Sequence, residues 1–451
     1  MTTQMKKYIR NLFMHLKKYT ATEEYQEIQQ IKNENDLLQF HEKYLKKLVL
    51  HAYRNVPYYR KIFDNIEIVN KDNVNLSLFH KIPILTKEIL IKQQKELIST
   101  DYAERESYYN FSGGSTGEPT KFMQNYSYKK WCKASNKYYY QNMLNIDYGN
   151  SKKIFLWGSP RDLFEGKVGF RNKINDWLNN SIILNSFKMT DNDMKSYILK
   201  INSYKPDFIR GYASSLDELA KYIERNNIII YKPKKIVSSA ETLTSEMKTN
   251  IETVFGTRVY DFYGSRETAS IAGECKDNLI HIFSFNNYLE ILDRNNNPVK
   301  EGQEGRIIVT NLHNYSMPFI RYEIGDAAIL GPKKCNCESF LPSLEKISGR
   351  LEENFIKKDG SIVIGYFFVH LIGVLLNKGF IKKFKVIQED YDKIKIYAVL
   401  DRGLLRTDRN EIEEKIRLQM GSDCSILWEF VEDIPNAQSG KFLYTKSLVK
   451  N

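Results

Sequence analysis

Between about residue 150 and residue 270 the chain alternates short apolar runs with amphipathic stretches, and this alternation constrains the fold more than any other feature. Each apolar run is short enough to be one buried strand, and the stretches between the later runs have the helical period. Strands separated by helices favour a mainly parallel sheet covered by helices. The predicted strands are Lys153–Gly158, Ser181–Phe187, Asp207–Tyr212, Lys235–Ala240 and Arg258–Tyr263.

Two helices are predicted between the last three of these strands. The first begins at a capping box formed by Ser215 and Glu218. The second runs from Thr244 to Phe255, where Gly256 is a typical stop signal. Both helices carry apolar residues on one face, as expected for helices that cover a sheet.

The flanking regions predict different architectures. Residues 34–60 have the helical period up to Asn55-Val56-Pro57, whereas the chain after residue 275 becomes a β region. A break near residues 347–354 precedes a β-β-α-β run, with a helix capped by Asp408 and Glu411. The predicted fold class is therefore α/β plus α+β: a large N-terminal domain, 1–349, with parallel sheets, helices and a β subdomain, and a small β-β-α-β C-terminal domain, 350–451, on a hinge.

Composition excludes several classes of protein. No apolar run approaches the roughly 20 residues needed to span a bilayer, and the start of the chain lacks the pattern of a signal peptide. Five cysteines among 451 residues are too few for a disulfide framework. The net charge of +12 is spread along the chain, so no nucleic-acid partner is expected. We expect a cytoplasmic protein whose basic first twenty residues form a helix with a solvated face; a weak peripheral contact with an acidic membrane is the alternative.

Residues 111–121, Phe-Ser-Gly-Gly-Ser-Thr-Gly-Glu-Pro-Thr-Lys, form the strongest chemical motif. Glycines let a loop turn its backbone N–H groups inward, and hydroxyl side chains donate to phosphate oxygens. The spacing of a Walker loop is absent, and such a segment on its own can equally be a surface turn.

Four further motifs follow in order. They are Tyr263–Glu267, which comes after a predicted buried strand, Arg321–Asp326, Gly349–Glu353 at the predicted domain break, and Ser439–Lys441. Each alone is more often part of a solvated face. Together with the glycine-rich segment they make five motifs in a fixed order, which is a strong signal, and the first of the four lies where a sheet edge opens a ligand crevice.

These five motifs resemble, in their order, the phosphate loop and conserved motifs of the adenylate-forming superfamily of acyl-CoA synthetases, adenylation domains and luciferases. Residues 51–63, 81–90 and 206–216 are similar to the phenylacetate–CoA ligase family, and most of all to its branch in capsular and surface polysaccharide biosynthesis. The resemblance extends from about residue 40 to the end. It implies that ATP and Mg²⁺ activate a small-molecule carboxylic acid as an acyl-adenylate, with release of pyrophosphate.

The resemblance also implies residue roles. Lys441, Glu267 and Arg350 would be catalytic, with Glu267 binding Mg²⁺ and Lys441 stabilising the charge that grows at the α-phosphate. Glu352 would be the hinge, where the family more often has Asp or Lys. The implied nucleotide-binding residues are Ser112, Gly113, Gly114, Ser115, Thr116, Gly117, Lys121, Ala240, Glu241, Tyr263, Gly264 and Asp326. The candidates for the acid pocket are Trp157, Gly158, Ser159, Gly211, Tyr212 and Ser238.

The acceptor of the acyl group is left open. Residues 356–363 lack the post-hinge pattern of ordinary acyl-CoA synthetases, so transfer to CoA is less secure than adenylation. The alternatives are transfer to an amine or a sugar, as in surface polysaccharide biosynthesis, and a non-catalytic nucleotide-binding homologue. Related enzymes often form homodimers.

Cys275, His281, Cys335 and Cys337 form a second constellation. Three thiols and an imidazole are a typical ligand set for structural zinc, and the four residues lie in two short stretches of the predicted β region. The alternative is four unrelated residues, since cysteine is often buried as a small apolar side chain.

Overall fold

A computed structural model gives the fold. It describes residues 21–111, 120–157, 179–186, 189–350, 355–363, 365, 367–368, 371–372, 380–400, 403–434 and 444–449. The chain divides into two compact units, one of Met1–Ile324 with Ile329–Lys346 and the other of Gly325–Ala328 with Ile347–Asn451.

The described part of the first unit begins with helices. The Asn33 side chain accepts a hydrogen bond from the backbone N–H of Asp36 and so caps the long helix α2, which ends at Asn55 because Pro57 begins the next helix. The elements up to the central sheet are α1 (Thr22–Gln30), α2 (Glu34–Asn55), α3 (Pro57–Ile66), β1 (Val69–Asn70), β2 (Asn73–Val74), a 3₁₀ turn (Leu76–Lys81), α4 (Lys87–Lys92), a second 3₁₀ turn (Tyr102–Arg105), β3 (Ser107–Phe111), β4 (Lys121–Asn125), α5 (Tyr126–Tyr138) and a π-helical turn (Tyr139–Met143).

The predicted strand–helix alternation is present and forms a parallel sheet. Its strands pair in the order β6-β5-β7-β8-β9, each parallel to its neighbours. The elements are β5 (Lys153–Trp157), β6 (Ser181–Asn185), α6 (Asp191–Tyr204), β7 (Phe208–Tyr212), α7 (Ala213–Arg225), β8 (Lys235–Ser239), α8 (Ser245–Phe255) and β9 (Val259–Ser265). All five strands predicted from the sequence are thus confirmed, with ends that differ by up to two residues.

The two faces of this sheet are covered differently. The register pairs Phe155 with Arg210 and Arg210 with Val237, so these side chains share one face. On that face the Tyr140 ring stacks on the Phe208 ring, with 5.2 Å between centroids. On the opposite face Gly211 lies against Leu156 and against Leu216 of α7. The π-helical turn therefore covers the first face and α7 covers the second.

The β region continues the same sheet instead of forming one of its own. Strand β10 pairs antiparallel with β9, and the order continues as β10-β11-β15-β14-β13-β12 to give eleven strands. The added strands are β10 (Ala269–Glu274), β11 (Ile280–Ile282), β12 (Asn287–Leu292), β13 (Glu304–Asn311), β14 (Tyr322–Leu330) and β15 (Ser343–Arg350).

Helix α7 does not begin at the predicted capping box. It begins at Ala213, two residues before Ser215, and no side chain of its own cap residue accepts a hydrogen bond. Instead the Glu241 carboxylate accepts a hydrogen bond of 2.8 Å from the backbone N–H of Ser214. A carboxylate from the loop after β8 thus satisfies a free N–H at the positive end of the helix.

In the second unit the predicted β-β-α-β order is present, followed by one more strand. The sheet order is β20-β19-β18-β21. The elements are β16 (Phe355–Ile356), β17 (Ile362–Val363), β18 (Ile381–Asp390), β19 (Lys393–Leu400), α9 (Arg406–Met420), β20 (Ser425–Phe430) and β21 (Thr445–Ser447). The cap predicted at Asp408 is wrong, because α9 begins at Arg406 and places Asp408 in its first turn. Among the described residues of the whole chain, no helix is both long and apolar enough to cross a bilayer.

Candidate active site

The carboxyl ends of β5, β7, β8 and β9 lie side by side. The register aligns Tyr212 at the end of β7 with Ser239 at the end of β8, and Ser239 with Phe262 of β9. The crevice beyond the carboxyl ends of parallel strands is where such sheets bind ligands. Beyond β9 in the chain comes the turn that carries Glu267.

The turn between β9 and β10 is tightly built. Thr268 donates its backbone N–H to the Ser265 hydroxyl at 3.1 Å, and Ala269 has a φ of +52°. A Cβ on Gly264 would lie 2.4 Å from the carbonyl oxygen of Ala269, so only glycine fits there. The predicted nucleotide residue Gly264 is thus required by the close approach of two strands, and the turn gives Glu267 a defined backbone position.

A side chain that the sequence analysis missed, Gln124 of β4, ties this turn to another segment. Its Nε2 donates to the carbonyl oxygens of Arg266 at 3.0 Å and Glu267 at 3.2 Å. Its Oε1 accepts from the Tyr108 hydroxyl at 3.2 Å and from Asn110 Nδ2 at 3.1 Å, both on β3. All the hydrogen-bonding groups of this buried amide are engaged.

The strands that Gln124 joins are those that flank the glycine-rich segment. The β3–β4 hairpin pairs Phe111 with Lys121, so residues 112–119 connect its two strands. At Lys121 the ammonium group lies 3.6 Å from the centroid of the Tyr109 ring. Gln124 therefore links the base of the predicted phosphate loop to the turn of the predicted magnesium ligand. No sequence signal marked Gln124, because its burial and its hydrogen-bond partners appear only in the structure.

Asn287 holds the same turn from its other side. Its Nδ2 donates to the carbonyl oxygens of Thr268 and Ser270, both at 3.1 Å, and the side chain is fully buried. The Glu267 turn is thus fixed by two buried amides, Gln124 and Asn287, from separate strands.

The loop after β8 was predicted to flank adenine. Ala240 has a φ of +70°, in the left-handed region that non-glycine residues rarely adopt. Glu241 follows and binds the N-terminus of α7 as described above. Tyr263 lies in β9, one residue before Gly264, so the residues predicted around adenine lie at the ends of adjacent strands.

The candidates for the acid pocket separate into two groups. The rings of Trp157 and Tyr212 stack with 4.5 Å between centroids and 15° between planes. Gly211 and Ser238 are paired with each other in register and belong to the opposite face of the sheet. The structure thus brings together Trp157 and Tyr212 but not the other two.

The motif 321–326 begins with a structural arginine. Arg321 is buried, and its guanidinium pairs with the Glu290 carboxylate at 2.9 Å while donating to the carbonyl oxygens of His80 and Ile82. Asp326 lies in β14 directly after Gly325, whose φ of +85° favours glycine. Within this motif, Arg321 thus holds the end of the 3₁₀ turn Leu76–Lys81, and Asp326 is the carboxylate predicted to bind the ribose.

Several predicted residues have no described position. Arg350 is the last residue of β15, and no position is described for its side chain. The residues outside the described part of the chain are Ser112, Gly113, Gly114, Ser115, Thr116, Gly117, Gly158, Ser159, Glu352 and Lys441.

Two carboxyl groups that the sequence analysis did not single out lie close together on the α8 side of the sheet. Glu274 accepts from the backbone N–H of Asp261 at 2.8 Å and pairs with Lys248 at 2.5 Å. Burial, and next the nearby Glu274 carboxylate, raise the pKa of Asp261 to about 7.

The structure brings the four predicted zinc ligands together. The ligand atoms of Cys275, His281, Cys335 and Cys337 all lie within 4.8 Å of one another. The Cys275 and Cys335 sulfurs are 3.6 Å apart, and the Cys337 sulfur is 3.2 Å from His281 Nε2. In a tetrahedral zinc site these separations would be about 3.8 Å and about 3.6 Å. His281 Nδ1 lies 2.9 Å from the Leu341 carbonyl oxygen, which holds the ring with Nε2 toward the thiols.

Several known proteins are similar to this chain, either over most of its length or over its C-terminal part. The model of the CapK C-terminal domain matches residues 355–448. Protein CapK of Staphylococcus aureus is 24% identical, over 94% of this chain and 92% of its own length. A phenylacetate-coenzyme A ligase of Aromatoleum evansii is 27% identical, over 69% of this chain and 70% of its own.

The fold is shared with a solved ligase. The crystal structure of 2-hydroxyisobutyryl-CoA ligase in its postadenylation state matches with a TM-score of 0.70 and 16% identity, over 92% of this chain and 89% of that one. The chain is thus similar to members of the adenylate-forming superfamily over most of its length. The resemblance carried by the five motifs is thereby confirmed, together with the enzyme class, an AMP-forming ligase.

Proposed function

We propose that this adenylate-forming ligase joins a carboxylic acid to the α-phosphate of ATP, releasing pyrophosphate and holding the acyl-adenylate. The observation that carries the proposal is the pair of hydrogen bonds from Gln124 to the backbone of Arg266 and Glu267. They support a site in which the glycine-rich segment and the Glu267 turn act on the same phosphates. A hairpin and a turn fixed to each other in this way suit the stabilisation of charge on a leaving pyrophosphate.

The Glu267 side chain fits a magnesium ligand. It is half-buried, and in the described part of the chain no cationic side chain forms an ion pair with it. A hard carboxylate oxygen of this kind suits Mg²⁺, which is commonly held by one or two carboxylates and the phosphates of the substrate. When bound, Mg²⁺ would neutralise charge on the phosphates. We assign Asp326 to the ribose, Arg350 to ribose and phosphate, and Lys441 to the α-phosphate as further parts of this proposal.

We propose CoA as the acceptor in the second step. The support is the likeness to a phenylacetate-coenzyme A ligase, which spans 69% of the chain. The second candidate is an amine or a sugar, since the likeness to CapK, which spans 94% of the chain, and the match of residues 355–448 to the CapK C-terminal domain do not themselves point to CoA. Because the acceptor is open, the adenylation step is tested separately from the acyl transfer.

We also propose a structural zinc ion on the four-residue cluster. Cys275, His281, Cys335 and Cys337 would fill all four tetrahedral positions, which leaves none for a substrate. The ion would join the β10–β11 turn to the segment at 335–337 and thereby brace one end of the added strands. A cytoplasmic location, a homodimer and a peripheral membrane contact of the first twenty residues stay predictions.

The adenylation step is tested by pyrophosphate release from ATP and Mg²⁺ across a panel of carboxylic acids, with hydroxylamine to trap activated acyl groups. At least one acid should give both pyrophosphate and hydroxamate. Glu267→Gln should lower the rate about 10- to 100-fold and raise the Mg²⁺ concentration needed. Glu304→Gln, which removes an exposed carboxylate on β13, is the matched control. Equal rates for Glu267→Gln and Glu304→Gln would remove the proposed role of Glu267.

A further inference from the structure

Arg210 places a cation among the aromatic rings at the carboxyl edge of the parallel sheet. It lies on β7, two residues before Tyr212 and on the same face. The guanidinium carbon is 4.1 Å from the centroid of the Phe262 ring and 5.6 Å from that of Trp157, the ring that stacks on Tyr212. The positive charge therefore lies beside the two residues of the predicted acid pocket that the structure brings together.

Among the described residues, the hydrogen-bond partners of this guanidinium are neutral groups. Nη1 donates to the Tyr140 hydroxyl at 3.2 Å and Nη2 donates to the Ser239 hydroxyl at 3.0 Å. Nε is buried and has no partner. Within the described ranges no aspartate or glutamate forms an ion pair with Arg210, whereas the buried Arg321 has Glu290.

A half-buried cation without an anion is costly, because its charge has lost much of its hydration. The stacking on Phe262 offsets part of this cost. A carboxylate would offset more, since a guanidinium binds it through two parallel, charge-assisted hydrogen bonds and Nε is one of the donors that form such a pair. The arrangement is that of a site completed by an anionic ligand.

We propose that Arg210 binds a second carboxylate on the acid, so that the substrate class is the dicarboxylic acids, with the carbon skeleton against the rings of Trp157 and Tyr212. This inference rests on the proposed adenylation. The carboxylate that reacts is a poor partner for Arg210, because adenylate formation removes its charge and an ion pair would stabilise only the ground state. A carboxylate that keeps its charge throughout contributes to binding in both states.

The test uses pyrophosphate release by the full-length chain with pairs of acids, each an aliphatic or aromatic dicarboxylate and its monoamide. The wild type should prefer at least one dicarboxylate over its monoamide by about 10- to 100-fold in kcat/KM, the range expected for hydrogen bonds to a charged group. Arg210→Met should abolish this preference by lowering kcat/KM for the dicarboxylate far more than for its monoamide. Arg210→Lys, which keeps the charge, should retain part of it.

A stability measurement separates ligand binding from a structural role. Because Arg210 is an unpaired cation, Arg210→Met should unfold at the same temperature as the wild type or at a higher one. The preferred dicarboxylate should raise the melting temperature of the wild type but not of this variant. Arg225→Met removes the same charge from an exposed site on α7 and should leave every rate unchanged.

The contradicting outcomes are distinct. If the wild type activates monoamides or simple monoacids as well as dicarboxylates, the inference is wrong and the adenylation proposal stands. The same holds if Arg210→Met slows both members of a pair equally. If no acid yields pyrophosphate, the proposed function fails and this inference fails with it. If Arg210→Met does not fold, the wild-type preference and Arg210→Lys still decide.

Discussion

Replacement of Gln124 by methionine tests the link between the loop hairpin and the Glu267 turn. Methionine keeps the shape of the side chain but loses four hydrogen bonds, two donated to backbone carbonyls and two accepted from Tyr108 and Asn110. Only 3% of Gln124 is exposed, so water cannot fully replace them. At about 0.5–1.5 kcal/mol for each of the four net hydrogen bonds, we expect a loss of about 2–6 kcal/mol in the free energy of unfolding.

The functional effect should follow from the same geometry. With the turn released, Glu267 is no longer fixed relative to the β3–β4 hairpin, so the KM for ATP should rise and kcat for pyrophosphate release should fall, together about tenfold or more. Gln124→Glu keeps the acceptor for Tyr108 and Asn110 but loses both donors, so it should show most of the catalytic loss.

Urea unfolding and pyrophosphate kinetics provide the two measurements. Gln303→Met, an exposed site, is the matched control and should change neither quantity. A Gln124→Met protein within about 0.5 kcal/mol of wild type, the usual range for an exposed substitution, and with unchanged ATP kinetics would refute the reasoning.

Three further predictions concern zinc, pH and catalysis. Purified protein should contain one zinc ion per chain; Cys337→Ser should lose it together with several kcal/mol of stability, and Cys424→Ser should keep it, as elemental analysis would establish. Burial lowers the pKa of His313 to about 3. Below about pH 6.5 the unfolded chain therefore binds a proton that the folded chain excludes. The free energy of unfolding should then fall by up to about 1.4 kcal/mol for each pH unit of acidification. His313→Gln should remove that part of the slope, and identical slopes between pH 4 and pH 6 would contradict it. Lys441→Ala should lower adenylation by about two orders of magnitude with ATP binding little changed, and undiminished acyl-adenylate formation would refute its role.

The parallel sheet could be predicted because short, mostly apolar runs alternate with stretches of helical period. The joining of the β region to that sheet could not, since strand pairing between β9 and β10 depends on a turn whose close approach at Gly264 only coordinates reveal. The cap of α7 could not be predicted from a local sequence pattern either, because Glu241 is 27 residues away from Ser214.

Some residues of the candidate sites could be predicted from the sequence and others could not. The cluster of three cysteines and one histidine could be predicted because these residue types are rare, whereas Gln124 and Asn287 act through ordinary amide groups that any strand can carry. The separation of Gly211 from Tyr212 was available in the sequence, because neighbouring residues of a strand point to opposite faces. Arg210 could not be singled out from the sequence, because its proposed role depends on which side chains surround it, and these are seen only in the structure.

The most direct test of the central claim is mass spectrometry of the purified protein mixed with ATP, Mg²⁺ and a pool of carboxylic acids, with no CoA, amine or sugar present. The account predicts one acyl-adenylate that stays bound to the protein, with pyrophosphate released in equal amount. Formation of ADP and an acyl phosphate, or no adenylate with any acid while ATP binds, would contradict it.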